Sequence, residues 1–223
     1  MSFVKRSWFA FDWDGTLVDC RGRQTAVLRD VLSRISGVSI DPDAWWRRKT
    51  EGLSTHQALI EAGIIPTVAS AVTNSWVAEV ENENWLELDV VHPQALPALE
   101  VVLAHGFSPV VITGRRNAEG ARSQILKSSI GRLVGEIWVV NPVGAASLKG
   151  EFLTQNKVNV FVGDTESDFF AAQAANAIFG GVSSGQRSAN YLSSVGVARI
   201  FSDVHAAVTA LIPLLLPSIE VSE

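Results

Sequence analysis

Cysteine, methionine and tyrosine each occur once in the 223 residues, and histidine four times. A lone Cys20 cannot close an intramolecular disulfide. With no Cys-His cluster, zinc is not expected. Positive charge is scarce too: 18 Lys and Arg stand against 23 Asp and Glu, so no basic field draws in nucleic acid or an anionic membrane. Long apolar runs are missing. The first residues, MSFVKRSWFAFD, reach a carboxylate before the core of a signal peptide is complete. The most apolar late run, AAVTALIPLLLP, is too short for a bilayer, is broken by Pro213 and Pro217, and reads as a terminal amphipathic helix. These shortages predict a protein of the reducing cytoplasm with neither a nucleic-acid nor a membrane partner. Nothing in the sequence sets an oligomeric state.

What is present is apolar residue in quantity, 47% of the chain, enough for a sizeable core. Short runs rich in Val, Ile and Phe alternate with segments of helical period, the pattern of β-α-β units and a parallel sheet. The strand candidates are SWFAFD, FSPVVIT, EIWVV, VNVFVGD, AIFGGV and ARIFS. Between Asp19 and Asp89 the pattern is helical, in QTAVLRDVLSRIS, STHQALIEAGI and VASAVTNSWVAEVENENWL. The expected fold class is α/β: a Rossmann-like parallel sheet with helices on both faces and a small helical domain inserted after the first strand. The core takes residues 1–18 and 90–223 and the insert 19–89, with hinges at Val18 to Gly22 and Leu88 to Pro93.

In such a sheet the strand C-termini share one edge, and ligands bind in the crevice outside it. WFAFD ends on Asp12, PVVIT on Thr113 with Gly114 next, and VNVFVGD on Asp164. Alternation along an extended chain places Asp14 on the side of Asp12, with Trp13 pointing away, before Gly15 turns the chain. Asp168 follows Asp164 by four residues and faces the same way if a helix begins near Thr165. Four acids in one crevice must hold protons or bind a cation. Mg²⁺, which takes a few protein oxygens together with waters and phosphate oxygens, suits the set. With Thr113, the Gly114 N–H and a lysine, the crevice has the parts to hold a phosphoryl group. One carboxylate can attack phosphorus while a second handles the leaving-group proton. For the lysine, Lys157 stands before VNVFVG and, at about 3.3 Å per residue, falls roughly 20 Å away at the wrong edge. Lys149 is the better candidate.

At these residues the chain resembles the haloacid dehalogenase-like superfamily of phosphohydrolases, in its phosphoglycolate phosphatase and β-phosphoglucomutase-like branch. FDWDGTLVD matches the first motif, VVITG the second, a lysine the third and VGDTESDFFAA the fourth, in the right order. The helical insert sits where a C1-type cap would. The resemblance implies that Asp12 is the nucleophile and Asp14 the general acid/base. It implies that Asp12, the backbone carbonyl of Asp14, Asp164 and Asp168 hold Mg²⁺, and that Thr113 and Gly114 bind phosphoryl oxygens. Lys149 becomes the third-motif lysine, with Gly150 where a proline is usual. The implied function is Mg²⁺-dependent hydrolysis of a small phosphorylated metabolite through an aspartyl-phosphate. A dehalogenase would have no need of Asp14. A sugar-phosphate mutase of the family would carry a histidine twelve residues after the nucleophile, where Gln24 stands. A catalytically silent binding protein of the same fold would have no reason to keep both acids.

The insert carries WWRRKTEGLSTHQAL. Trp45 and Trp46 are expected to pack inward. Arg47, Arg48 and Lys49 are either solvated charges or part of a specificity loop, in which Arg48, Lys49, Ser54 and His56 would contact the leaving group. Arg115 and Arg116 suit either a solvated helix start or a phosphate contact. Cys20 reads as a small residue near the hinge.

Overall fold

β1 (Trp8–Phe11) sends Phe9 and Phe11 into one apolar layer and Ala10 into the other, so it is buried on both faces. The computed structural model describes residues 7–216; the first residues read against a signal peptide, and Pro217, lie outside these. β4 (Ser108–Gly114), β5 (Glu136–Val140), β6 (Val160–Gly163), β7 (Ile178–Val182) and β8 (Ile200–Phe201) complete a six-stranded sheet in the order β5-β4-β1-β6-β7-β8. Every pair in it is parallel. All six strand candidates are therefore strands of one sheet.

α6 (Ala95–Ala104), α7 (Ala118–Lys127) and α11 (Val204–Leu215) cover the face of Phe9 and Phe11. α8 (Ala145–Gln155), α9 (Glu166–Ala174) and α10 (Ala189–Ser194) cover the face of Ala10. In α11 the buried residues Val204, Ala207, Val208, Leu211 and Ile212 form one stripe at helical spacing, and Pro213 sits inside the last turn. No described helix is long and apolar enough to cross a membrane.

After β1 the chain crosses to β4 and β5 on one side, then returns past β1 to build β6, β7 and β8 on the other. The reversal opens a crevice beyond the C-termini of β4, β1 and β6.

Residues between the two sheet-side hinges form α1 (Arg21–Ser36), α2 (Pro42–Thr50), α3 (Thr55–Glu61), α4 (Pro66–Glu79) and the short α5 (Glu83–Leu86). These helices have an apolar core of their own, in which Val27, Leu28 and Val31 meet Trp45, Leu59 and Val72. Two strands escaped the sequence reading: β2 (Val18–Asp19) and β3 (Val90–Val91) pair antiparallel, Val18 with Val91 and Asp19 with Val90. Two residues are too few to carry a periodic signal. They join the segments expected to be hinges into a double-stranded neck.

Candidate active site

The sheet register lines up the strand-end residues. Phe11 is level with Val111 and with Val162, so Thr113 and Asp164 both lie two residues beyond it, on either side of the Asp12–Trp13 segment. The Asp12 N–H continues the ladder by donating to Val162 O at 2.9 Å. Gly15 then turns the chain at φ +83°, and a Cβ there would stand 2.1 Å from Asp164 Oδ2, so both the conformation and the approach require glycine. Asp164 accepts from Thr16 Oγ1 at 3.1 Å and from the Gln186 N–H at 2.7 Å. Asp168 belongs to a capping box at the start of α9: it accepts from Thr165 Oγ1 at 2.6 Å and from the Thr165 N–H at 3.2 Å.

Lys149 reaches this group because α8 starts at the C-terminal edge of β5 and Lys149 lies one turn into it. Its Nζ is 2.8 Å from Asp12 Oδ1 and 2.6 Å from Asp168 Oδ1. Lys157 follows the far end of α8, before β6. Gly150 has a packing role: a Cβ there would meet Ala171 O of α9 at 3.2 Å.

Asp12, Asp164 and Asp168 bring carboxylate oxygens within 4.8 Å of one another, and all three residues are buried. One ammonium does not balance three carboxylates. Without a further cation the excess is relieved by protons: burial and then the Asp168 charge raise Asp12 to about 7. Burial, Asp12 and Asp168 hold Asp164 well above the carboxylate range. For Lys149 burial disfavours the ammonium, but Asp12 and Asp168 outweigh it and raise its pKa. An oxygen-only, over-negative, compact donor set fits a hard divalent ion.

Asp14 departs from the four-acid crevice expected from strand alternation. β1 ends at Phe11, and the N–H groups of Leu17 and Val18 fold back onto Trp13 O at 3.0 and 3.1 Å, so Asp14 lies in a turn where alternation no longer applies. Its carboxylate goes to two buried guanidiniums: Arg115 bonds both oxygens, at 2.5 and 2.7 Å, and Arg23 of α1 adds a third bond at 2.5 Å. Burial pushes Asp14 up, but Arg115 and Arg23 prevail and bring it to about 2. Arg23 also bonds Asp89, at 2.8 Å, and Asp89 accepts from Gln124 at 2.7 Å. Arg115 is thus neither a solvated helix start nor, as placed, free for phosphate. Arg116 is exposed, and its N–H donates to Glu81 at 3.2 Å.

The helical unit separates two residues that the sequence reading coupled. The Arg48 side chain turns outward to Glu61, Nε to Oε2 3.6 Å. Lys49, one residue and about 100° further round the helix, is buried, so it is not among the solvated charges. Its Nζ lies 4.9 Å from the Trp45 ring centroid and 4.8 Å from that of Trp76, and donates to Gln24 Oε1 at 2.8 Å. Ser54 caps α3, and His56 Nε2 lies 3.1 Å from Ser70 Oγ. Cys20 is buried with its thiol pushed up by burial and by Asp14.

Arg23, Asp89 and Gln186 were not singled out for the site, and Gln24 only as the residue at the place of a mutase's histidine. Two of them left a trace: Arg23 and Gln24 occupy the same buried stripe of α1 as Val27, Leu28, Val31 and Leu32. Polar side chains at core-facing positions are the signal. Gln186, in a loop, left none.

No protein-family model and no curated protein sequence matches this chain. Solved structures do. A haloacid dehalogenase-like family hydrolase from Streptococcus pneumoniae superposes with a TM-score of 0.73 at 16% identity, over 95% of this chain and 99% of that one. A predicted phosphatase from Clostridium acetobutylicum gives 0.73 at 16% identity, over 93% and 99%. A predicted phosphoglycolate phosphatase from Haemophilus somnus gives 0.67 at 19% identity, over 94% and 99%. The likeness runs through helical insert and sheet alike: this chain has the haloacid dehalogenase-like hydrolase fold.

Proposed function

We propose that the protein is a Mg²⁺-dependent phosphomonoesterase for a small phosphorylated metabolite, acting through an aspartyl-phosphate on Asp12. The observation that carries this reading is the Lys149 ammonium bridging Asp12 and Asp168 inside a buried all-oxygen cluster. The predicted phosphatases named above, which share the fold, support it.

Asp12 sits at a strand end with one oxygen held by Lys149, which leaves the other to attack phosphorus as the bond to the leaving oxygen breaks. Thr113, Gly114 and Lys149 surround the phosphoryl oxygens. Asp14 gives a proton to the leaving oxygen, then takes one from the water that attacks the aspartyl-phosphate, which releases phosphate and restores Asp12. To carry that proton Asp14 must leave the guanidinium pair that holds it as an anion. Asp12, Asp164, Asp168 and the Asp14 carbonyl would hold Mg²⁺, which supplies charge neutralisation at the transferring group. Gln24, at the place of a mutase's histidine, has no proton to shuttle near neutral pH and is bonded to Lys49, which favours hydrolysis over mutation.

On this reading residues 19–89 are a cap that closes on the core of 1–18 and 90–223 about the β2–β3 neck. Lys49 is the cap residue for the leaving group, with Arg48 at the rim. The single buried Cys20 accords with a reducing cytoplasm.

The test is hydrolysis of p-nitrophenyl phosphate and of a panel of phosphorylated metabolites, with Mg²⁺ and with EDTA, by wild type and Asp12→Asn. Mg²⁺-dependent turnover that Asp12→Asn abolishes is expected, with a hydroxylamine-labile phosphoenzyme in wild type only. Turnover in EDTA, or by Asp12→Asn, overturns the mechanism.

A further inference from the structure

Gln186 lies in the loop after β7, outside every motif of the sequence, and touches both halves of the molecule. Its N–H donates to Asp164 Oδ2 at 2.7 Å. Its side-chain Oε1 accepts from Gln24 Nε2 of α1 at 3.0 Å, and its Nε2 lies 3.5 Å from the Asp14 carbonyl. Gly185 permits this approach: a Cβ there would stand 2.3 Å from Asp164 Oδ2 and 2.4 Å from Gly15 O.

The order of donors along this chain is fixed from the helical unit. Lys49 Nζ donates to Gln24 Oε1, which leaves the amide nitrogen of Gln24 turned toward the core. Gln186 Oε1 receives that donor, and its own amide N–H₂ is left facing the Asp14 carbonyl. Gln24 is held in place by its backbone as well, since its carbonyl accepts from Trp76 Nε1 at 3.0 Å.

The next two residues grip the C-terminal end of α2. Arg187 donates to Lys49 O at 2.9 Å, and its guanidinium forms a two-bond pair with Glu166, at 2.7 and 2.9 Å. Glu166 opens α9, the helix that carries Asp168. The Ser188 N–H donates to Thr50 O at 2.9 Å. The segment 186–188 therefore bonds the helical unit at Gln24, Lys49 and Thr50, and the core at Asp164 and α9.

We propose that Gln186 is a positioning residue that couples closure of the helical unit to the alignment of Asp164, an inference that rests on the phosphohydrolase reading above. When the helical unit opens, Gln24 travels with α1 and Gln186 Oε1 loses its partner. The loop that aims an N–H at Asp164 is then held by the core alone. Closure over substrate and readiness of the cation site become one event, carried by a side chain that touches no reacting atom.

The experiment is a double-mutant cycle on Gln24 and Gln186 read by Mn²⁺ affinity without substrate, using calorimetric titration of the full chain. Gln24→Met preserves volume, so a collapsed cavity cannot mimic the lost link; Gln186→Ala cuts the link from the core side. Gln186→Ala is expected to weaken Mn²⁺ binding about tenfold, the scale of outer-shell partners. Gln24→Met, which touches no carboxylate, is expected to weaken it too. The double variant is expected to match Gln186→Ala alone. Mn²⁺ affinity unchanged in Gln24→Met, or effects that add in the double variant, overturns the coupling while hydrolysis by wild type leaves the functional reading intact. Tight Mn²⁺ binding with no hydrolysis of any phosphomonoester would remove the functional reading, and the cycle alone would then decide the coupling. A wild-type chain that binds no Mn²⁺ overturns both.

Discussion

The Lys149 ammonium stands between two carboxylates, 2.8 Å from Asp12 and 2.6 Å from Asp168, with none of the three exposed. Removing one partner of such an arrangement leaves buried charge unpaired, which costs about 3–5 kcal/mol. Lys149→Met should therefore be destabilised by that amount in urea unfolding without divalent ions. It should recover more stability than wild type when Mg²⁺ is added, because the cation then offsets charge that the lysine no longer does. A variant as stable as wild type in EDTA would show that the charges were not mutually dependent.

Gly15 and Asp164 define the tightest approach in the site. Gly15→Ala places a Cβ in a left-handed conformation, at about 1–2 kcal/mol, and directs it at Asp164 Oδ2 from 2.1 Å. One of the two must move. The expected result is a folded protein of lower Tm whose Mg²⁺ requirement rises at least tenfold. Loss of stability with unchanged Mg²⁺ dependence would mean that Asp164 does not answer to this turn.

Asp14 and Arg115 set up a test of the acid's task. A general acid contributes on the order of 10²- to 10⁴-fold, and only a poor leaving group needs it. Asp14→Asn should lose that factor in the phosphorylation of Asp12 by an alkyl phosphate. With p-nitrophenyl phosphate, whose leaving group departs as an anion, the first step should survive and phosphoenzyme should accumulate. Equal losses on both substrates, with no accumulation, would remove Asp14 from proton transfer.

The sheet was legible because each strand is an apolar run ending in a polar residue, and a parallel order then puts those ends together without any knowledge of packing. The place of Lys149 was legible by exclusion, since Lys157 stands just before β6 and so falls at the opposite edge of the sheet. Asp14 was misplaced because alternation was carried past the point where the strand stops. Arg23 and Gln24 could have been found from the stripe they share with Val27 and Leu28. Gln186 could not: its role depends on a loop meeting a helix 162 residues away in sequence, and nothing periodic marks either end.

Arg48 and Lys49 are neighbours with opposite surroundings, so their substitution should separate what a double variant would merge. Arg48→Ala breaks a part-exposed pair with Glu61, and such pairs contribute about 0–1 kcal/mol. Its kcat/KM should stay within a factor of three of wild type for every substrate. Lys49→Ala should lower kcat/KM for the physiological ester far more than for p-nitrophenyl phosphate, because binding energy spent on closure is available only to a substrate that reaches the cap. An unchanged ratio between the two substrates would free Lys49 of any part in specificity.

Lys49 also gives the protein a pH dependence with a definite sign. Burial, and then the Arg187 guanidinium, bring its pKa down from an ordinary 10.5 to about 7, against the attraction of the indole faces around it. Between those two values the unfolded chain binds one proton more than the folded one, so stability rises with pH, by at most about 1.4 kcal/mol per unit. Below about 7 the ammonium is present in both states, and the folded protein bears the whole cost of enclosing it. Lys49→Met has no such group. Urea unfolding of the two proteins from pH 6 to 9.5 should show a stability difference that is constant up to about 7 and then shifts steadily in favour of wild type. Of the groups around Lys49, Arg187 and Glu166 form an ion pair that stays charged through this window, Arg23 has its pKa raised further, and the Cys20 thiol is held well above its usual value, so none of them reproduces the slope. Parallel curves would mean that Lys49 keeps its proton on folding, with the Trp45 and Trp76 ring faces compensating for lost water.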